Sequence, residues 1–248
     1  MAKAKKESAE MGMNKTGLAT APKLSKEMIE SSESGPVSAS HGGMSPASVR
    51  AGYIKERETI GSVPPPTSMK GAGKTAMAAL KGEKATVFLD KLGERLAFER
   101  SGTRLYEALI EKCRALGTNK GGVTIPQLER ICHEELKHFH MLWDCIEQLG
   151  ADPTVEMPSA DVAAVISGGI PKVITDPRTT LAQCLEAMLA AELVDNDGWE
   201  MLIELADEFE QTEMAEKFRE ALAEEENHLS VIRECLKREI RQEARLTA

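Results

Sequence analysis

The sequence predicts an all-α fold in which four long helices form a bundle, preceded by a flexible N-terminal arm. Aromatic residues make up only 4% of the 248 residues, and runs with strand-like alternation are absent. Along four segments, apolar residues instead recur at alternating steps of three and four, which keeps their side chains on one face of an α-helix. A hydrophobic content of 42% is enough for one sizeable helical core.

Residues 1–84 are predicted to form the arm. They carry 13 Lys and Arg against 8 Asp and Glu, whereas the rest of the chain is strongly acidic. They also hold 10 of the 19 glycines and 6 of the 11 prolines, too little apolar surface to order themselves. Short helical turns are expected after Ser45-Pro46 and near residues 75–80. We interpret the arm as a solvated extension, with contacts to the acidic bundle, a second protomer or nucleic acid as alternatives.

A glycine-rich run in the arm, residues 71–75, matches part of the sequence motif of a phosphate-binding loop. The motif needs a further glycine where Ser68 stands, and it needs a preceding strand. Nucleotide hydrolysis is therefore excluded at this run.

The bundle is predicted over residues 85–248. The first helix begins near Ala85, and residues 117–122 form a loop after it. Thr124 and Gln127 form a capping box that opens the second helix, which ends at Gly150. We expect helices of about 25 residues, each spanning about 40 Å.

A connection of 30 residues, 151–180, follows the second helix and contains four prolines. A crossover of this length predicts that the second and third helices run parallel. Gln211 and Thr212 mark a short turn into the fourth helix.

Acidic and imidazole side chains interrupt the four apolar stripes at positions that should be apolar. Each keeps the three- and four-residue rhythm, so it points where its apolar neighbours point. A buried carboxylate is costly unless it is paired or binds a metal, and the whole set requires about four positive charges, as two divalent cations supply. The sequence therefore predicts a dinuclear metal centre formed by Glu99, Glu135, His138, Glu192, Glu225 and His228.

The order of these residues along the chain strengthens the prediction. A core-facing Glu is followed 36 residues later by a Glu-x-x-His pair, and the arrangement recurs with a spacing of 33 residues. Within each pair, one helical turn separates two groups that can reach a common ion. The alternative is four amphipathic helices with solvated charges.

The bundle resembles the ferritin-like superfamily over about residues 85–240. Residues 134–138, Glu-Glu-Leu-Lys-His, are similar to a run common in bacterioferritins and rubrerythrins, and residues 214–229 are similar to their last helix. Glu99 and Tyr106 have the first-helix spacing of the same families. The two C-x-x-C pairs of a rubredoxin domain are absent from this sequence.

The oxygen-rich ligand set with two imidazoles suits two iron ions, with manganese as an alternative. The resemblance implies bridging and terminal ligands. Glu135 and Glu225 would bridge the ions, and the terminal ligands would be Glu99 with His138 and Glu192 with His228. Tyr106 lies on the same face and is a candidate catalytic residue, either bonded to a ligand carboxylate or relaying an electron, although a packed tyrosine is an equal alternative.

The predicted function is a di-iron oxidoreductase, a ferroxidase or peroxidase that consumes Fe(II), O2 or H2O2. An iron-storage protein, a di-iron hydroxylase acting on an organic or tRNA substrate, and a helical interaction protein without metal are the alternatives. The first three share the same ligands, so the sequence does not separate them. We also expect a homo-oligomer.

Composition excludes several other classes. The five cysteines form no C-x-x-C pair, which argues against a zinc module and a disulfide framework and favours reduced thiols. No apolar run approaches 18 residues, and no apolar signal region follows the N-terminal lysines, so we expect a cytoplasmic protein without a membrane span. His133 and His140 fall off the core stripe and are predicted at the surface, Trp199 is predicted to pack in the core, and Asp195 has no assigned role.

Overall fold

The computed structural model describes residue 19 and residues 21–34, 45–65, 85–117 and 124–245. These residues contain eight helices and no strand, which confirms the all-α prediction. In chain order the helices are α1 (Pro22–Ser34), α2 (Pro46–Glu56), α3 (Ala85–Leu116), α4 (Ile125–Leu149), α5 (Pro158–Ser167), α6 (Ile170–Thr175), α7 (Leu181–Glu208) and α8 (Thr212–Arg245).

The two helices α1 and α2 belong to a unit separate from the one that holds the later helices. Helix α2 is present where a helical turn was predicted, because the Ser45 side chain caps the Ser48 amide at 3.2 Å and Pro46 occupies the first turn. None of its residues is buried. The helix α1 was not predicted. The expected turn near residues 75–80, the glycine-rich run and His41 lie outside the described residues, and the flexible arm stays a prediction.

The four long helices α3, α4, α7 and α8 begin and end close to where the sequence predicts. The capping box of Thr124 and Gln127 is present, and Gly150 ends α4 with φ of 84°, a left-handed value that favours glycine. A second capping box, of Thr180 and Gln183, opens α7. At 32, 28 and 34 residues, α3, α7 and α8 are longer than the expected length of about 25.

Two apolar clusters show the relative directions of the four long helices. One cluster joins the C-terminal half of α3 to the N-terminal halves of α4 and α7 and to the C-terminal half of α8. The other joins the opposite ends of the same four helices. Consequently α3 is antiparallel to α4, α7 is antiparallel to α8, and α4 and α7 run parallel. The four-helix bundle with its long crossover is confirmed.

The crossover contains two short helices, α5 and α6, that were not predicted. Pro158 and Pro171 lie in the first turns of these helices. A backbone amide there would have no hydrogen-bond partner within the helix, so the helix loses no hydrogen bond when proline takes the position. These prolines therefore open helices instead of interrupting them. The Asp90 carboxylate of α3 accepts hydrogen bonds from the amide and hydroxyl of Ser159, at 3.0 and 2.6 Å, and so caps α5.

The structure agrees with the predictions made for two surface histidines, for Trp199 and for the cysteines. His133 and His140 are exposed, and Trp199 is fully buried. The five cysteines form no disulfide. Among the described helices, none has an apolar stretch long enough to cross a membrane.

Candidate metal centre

The six predicted ligand residues meet in the middle of the bundle, between the two apolar clusters. Helices α3 and α7 each contribute one carboxylate, and α4 and α8 each contribute a carboxylate and an imidazole. Each of the six is at most 2% exposed: Glu99, Glu135, His138, Glu192, Glu225 and His228. The structure thus brings the whole predicted set together, while its role as a ligand set stays a prediction.

Helices α4 and α8 present their polar groups in the same way. The burial pattern of residues 131–140 is identical to that of residues 221–230, and both stretches place Glu and His one turn apart on the buried face. The two helices therefore form equivalent halves of the site, related by an offset of ninety positions in the chain.

The two histidines turn their Nδ1 atoms toward a shared carboxylate at the centre. Nδ1 of His138 lies 2.7 Å from Oε1 of Glu225 and 3.6 Å from Oε2 of Glu99. Nδ1 of His228 lies 3.0 Å from Oε2 of Glu225 and 3.6 Å from Oε1 of Glu135. Glu225 therefore spans the site from one imidazole to the other.

Two groups of potential ligand atoms overlap at Glu225. Within each group the atoms lie within 4.8 Å of one another; one group is Glu135, Glu192, Glu225 and His228, and the other is Glu99, His138 and Glu225. Several of their buried oxygens have no hydrogen-bond partner: both of Glu99, Oε2 of Glu135 and Oε2 of Glu192. Because unpaired buried carboxylate oxygens are costly, the arrangement fits cations that would pair with them.

The outer nitrogen of each histidine contacts a carboxylate on the facing helix. Nε2 of His138 lies 2.8 Å from Oε2 of Glu224, and Nε2 of His228 lies 2.7 Å from Oε2 of Glu134. Lys137 also donates to Glu224, at 2.7 Å. When an ionised carboxylate accepts the Nε2 proton, Nδ1 keeps its lone pair for a metal. Sequence analysis missed this role, although the signal was present as a second Glu before each Glu-x-x-His pair.

Burial and mutual repulsion shape the protonation of the metal-free site. Burial raises the pKa of the Glu99 and Glu135 carboxyls and brings the pKa of Glu192 to about 8. Burial opposes protonation of the imidazoles, but hydrogen bonds to Glu225 outweigh it. They raise the pKa of His138 to about 10 and that of His228 to about 9. Without metal the site therefore holds protons at neutral pH.

Two aromatic residues contact side chains of the predicted ligand set. The Tyr106 hydroxyl donates a hydrogen bond to Oε1 of Glu192. Burial and the neighbouring carboxylates raise the pKa of Tyr106 well above its ordinary value, so the phenol stays protonated and keeps donating. The Trp199 ring packs edge-on against the His138 imidazole, with ring centroids 5.5 Å apart. The hydrogen bond to Glu192 fits both a role beside a ligand carboxylate and a packed tyrosine with a satisfied hydroxyl, so the catalytic role of Tyr106 stays a prediction.

A glycine makes room for one of the carboxylates. A Cβ atom added at Gly102 of α3 would overlap the Glu135 carboxylate, the nearest atom being Oε2. A side chain at that helical position would therefore have to displace the Glu135 carboxylate from its place in the site. This close approach was not evident from the sequence, where Gly102 appears only as a weak helix residue.

A buried ion pair adjoins the site. Arg95 of α3 and Asp195 of α7 are 4% and 2% exposed and bond to each other, and Nη1 of Arg95 lies 4.0 Å from Oε1 of Glu99. Sequence analysis placed Asp195 on the core stripe without a role and did not identify Arg95, because an arginine beside an apolar stripe ordinarily extends into solvent.

Comparison with known proteins found one family model and one solved structure similar to parts of this chain. Residues 125–241 match the family model of the ferritin-like domain, a span that includes α4 to α7 and most of α8 but not α3 with Glu99. A crystal structure described as ferritin-like, diiron-carboxylate proteins from Bacillus anthracis strain Ames is similar at 22% identity, with a TM-score of 0.46. The alignment covers 60% of this chain and 94% of that one. No curated protein matches the chain.

Proposed function

Residues 125–241 match the ferritin-like domain, and from this premise we propose that the buried cluster binds two iron ions and that the protein is a di-iron oxidoreductase of the ferroxidase or peroxidase type. The observation that carries the proposal is the pair of overlapping ligand groups that share Glu225, each with one histidine. A shared carboxylate with oxygens directed to both halves is what a dinuclear centre requires.

The donor chemistry supports iron, with manganese as the alternative. Carboxylate oxygens outnumber imidazole nitrogens, and the site contains no cysteine. This set of donor atoms disfavours soft metals and structural zinc. Glu135 and Glu225 would bridge the ions, as the family resemblance implies. Glu99 with His138 and Glu192 with His228 would be the terminal ligands.

The two irons would supply redox chemistry, each losing one electron so that together they reduce one H2O2, with two protons, to two waters. The chain's own residues prepare the site for it. Glu134 and Glu224 hold the Nε2 protons of the histidines, and Tyr106 holds the orientation of Glu192 through its hydroxyl. Glu134 and Glu224 are 19% and 32% exposed, so they also link the buried imidazoles to the surface.

The proposal is tested by loading the metal-free protein with Fe(II) under anaerobic conditions. We expect saturation at two ions per chain, followed by optical changes of Fe(III) on addition of H2O2 or O2. The Glu135→Ala variant should lose at least one of the two ions, whereas Glu226→Ala, at an exposed position beside Glu225, should keep both. Saturation near zero ions in the wild-type chain would refute the proposal.

The same titration separates the proposed function from its alternatives. Continued uptake of iron far beyond two ions per chain would indicate storage. Rapid oxidation by H2O2 would indicate a peroxidase, and slow oxidation that an added organic or tRNA substrate accelerates would indicate a hydroxylase. Homo-oligomer formation and a cytoplasmic location remain predictions, which the mass of the native protein and cell fractionation would test.

A further inference from the structure

Arg95 is a cation built into the acidic site. It lies on α3 one turn before Glu99 and is only 4% exposed. Its Nη1 donates to the Asp195 carboxylate and, at 3.1 Å, to the Asp195 carbonyl oxygen. Its guanidinium also stacks 4.3 Å above the centre of the Phe98 ring. The side chain is thus held from two sides within the bundle.

The guanidinium touches a group of carboxylates that differs from the two histidine-containing groups. Glu99, Glu135, Asp195 and Glu225 each offer an oxygen within 4.8 Å of the others, and no imidazole takes part. Arg95 contacts two members, Asp195 directly and Glu99 at 4.0 Å. Oxygens of Glu99 and Glu135 in this group are buried without a hydrogen-bond partner. Four hard oxygen donors around one position are suited to a further divalent cation.

The bundle makes space for the guanidinium at this position. A Cβ atom added at Gly198 of α7 would lie 2.6 Å from Cζ of Arg95, so only glycine at that helical position accommodates the arginine as it stands. Gly198 lies one turn after Asp195, which places the partner carboxylate and the cleared space on the same face of α7.

We propose that the Arg95 guanidinium is a resident cation that occupies a third cation position and limits the centre to two metal ions. This inference rests on the proposed dinuclear function. Five carboxylates and one guanidinium give the cluster a charge of about −4, which two divalent ions balance. Without the guanidinium the charge is about −5, and four carboxylates surround a space open to a third ion.

The test is the number of ions bound by the full-length chain in excess Mn(II) under anaerobic conditions, counted by native mass spectrometry and elemental analysis. We expect two ions in the wild type and three in Arg95→Gln. Arg95→Lys retains a positive charge and should bind two. The double variant Arg95→Gln/Asp195→Asn lacks the fifth carboxylate and should also bind two, which attributes the extra ion to the all-carboxylate group.

Arg95→Met provides a second variant, because it removes the guanidinium and leaves a flexible apolar side chain suited to a buried position. It should also take up a third ion, so the test does not depend on the folding of Arg95→Gln. Two ions in the wild type and two in both variants would overturn the inference and leave the proposed function intact. A wild type that binds none refutes the proposed function instead. Anomalous diffraction from Mn(II) crystals of Arg95→Gln should place the third ion beside Asp195.

Discussion

Single residues orient the two imidazoles of the proposed metal centre. Glu134 and Glu224 contact the Nε2 atoms of His228 and His138 from the facing helix, and this leaves both Nδ1 atoms directed inward. Burial opposes ionisation of Glu224, but hydrogen bonds from Lys137 and His138 lower its pKa, so it accepts the Nε2 proton as a carboxylate. In a neutral imidazole, each of these contacts favours the tautomer with the proton on Nε2.

We therefore predict that Glu134→Ala and Glu224→Ala weaken metal binding by about 10- to 100-fold, the usual effect of removing the partner of a ligand histidine. Competition with a chromogenic chelator for Mn(II) or Co(II) measures the change. Glu226→Ala, which removes a neighbouring exposed carboxylate, should bind as the wild type does. Equal affinity in all three variants would show that the outer carboxylates do not position the imidazoles.

Gly102 makes room for a carboxylate of the proposed metal site, but it is less favourable for the helix than alanine would be. Alanine favours an α-helix over glycine by about 1 kcal/mol, but a Cβ at this position overlaps the Glu135 carboxylate. Gly102→Ala should therefore lose metal affinity while the helix content of the metal-free protein is maintained. Circular dichroism and metal titration measure the two properties separately, and Ser101→Ala, at an exposed neighbouring position, is the control. Unchanged affinity in Gly102→Ala would mean that Glu135 is free to move aside.

Helices and their connections differ in how far the sequence predicts them. The long helices were predictable because they bury one continuous face, so their apolar rhythm and capping residues can be read directly. The same rhythm located Glu99 and Glu192, since a ligand must share the phase of the core around it. The helices α5 and α6 were not predicted because they are short, and α5 exposes Val165 and Ile166, so no apolar stripe marks it. The Arg95–Asp195 pair was missed because it forms between residues one hundred positions apart.

The crossover offers a test at the scale of an element. Met157, at the N-cap of α5, provides no side-chain hydrogen bond. The Asp90 carboxylate of α3 caps the first turn of α5 instead. Asp90→Ala should cost about 1 kcal/mol of local stability and speed hydrogen exchange in Pro158–Ser167. Metal stoichiometry should stay at the wild-type value, since none of the proposed ligands lies on α5 and Asp90 is more than two helical turns from Glu99. Glu107→Ala, an exposed acidic position on α3, is the control, and unchanged exchange in Asp90→Ala would show that the cap is not needed.

At the scale of the whole molecule, metal and protons compete for the same groups. In the metal-free protein, Glu192 has a pKa of about 8 against an ordinary 4.5, and His138 and His228 have pKa values of about 10 and 9 against 6.5. At pH values between the ordinary pKa and the raised pKa of each group, the native state binds more protons than the unfolded state. Its stability therefore falls as pH rises through this window. Glu225, whose pKa is lowered to about 2 by both histidines against the effect of burial, stays ionised throughout.

Metal binding has the opposite dependence on pH, because each ligand must lose its proton before it coordinates an ion. Melting temperatures of the metal-free protein should fall between pH 6 and pH 8.5, while the increase in melting temperature caused by saturating Mn(II) should grow over the same range. Metal that binds only the native state adds about 2.7 kcal/mol at a hundredfold excess over Kd, so the increase is measurable by thermal melting under anaerobic conditions. The variant His228→Ala removes one of the groups that exchange a proton for metal and should show a smaller growth with pH. A metal-induced increase that stays constant or shrinks as pH rises would mean that the buried carboxylates and imidazoles are not the groups that bind the ions.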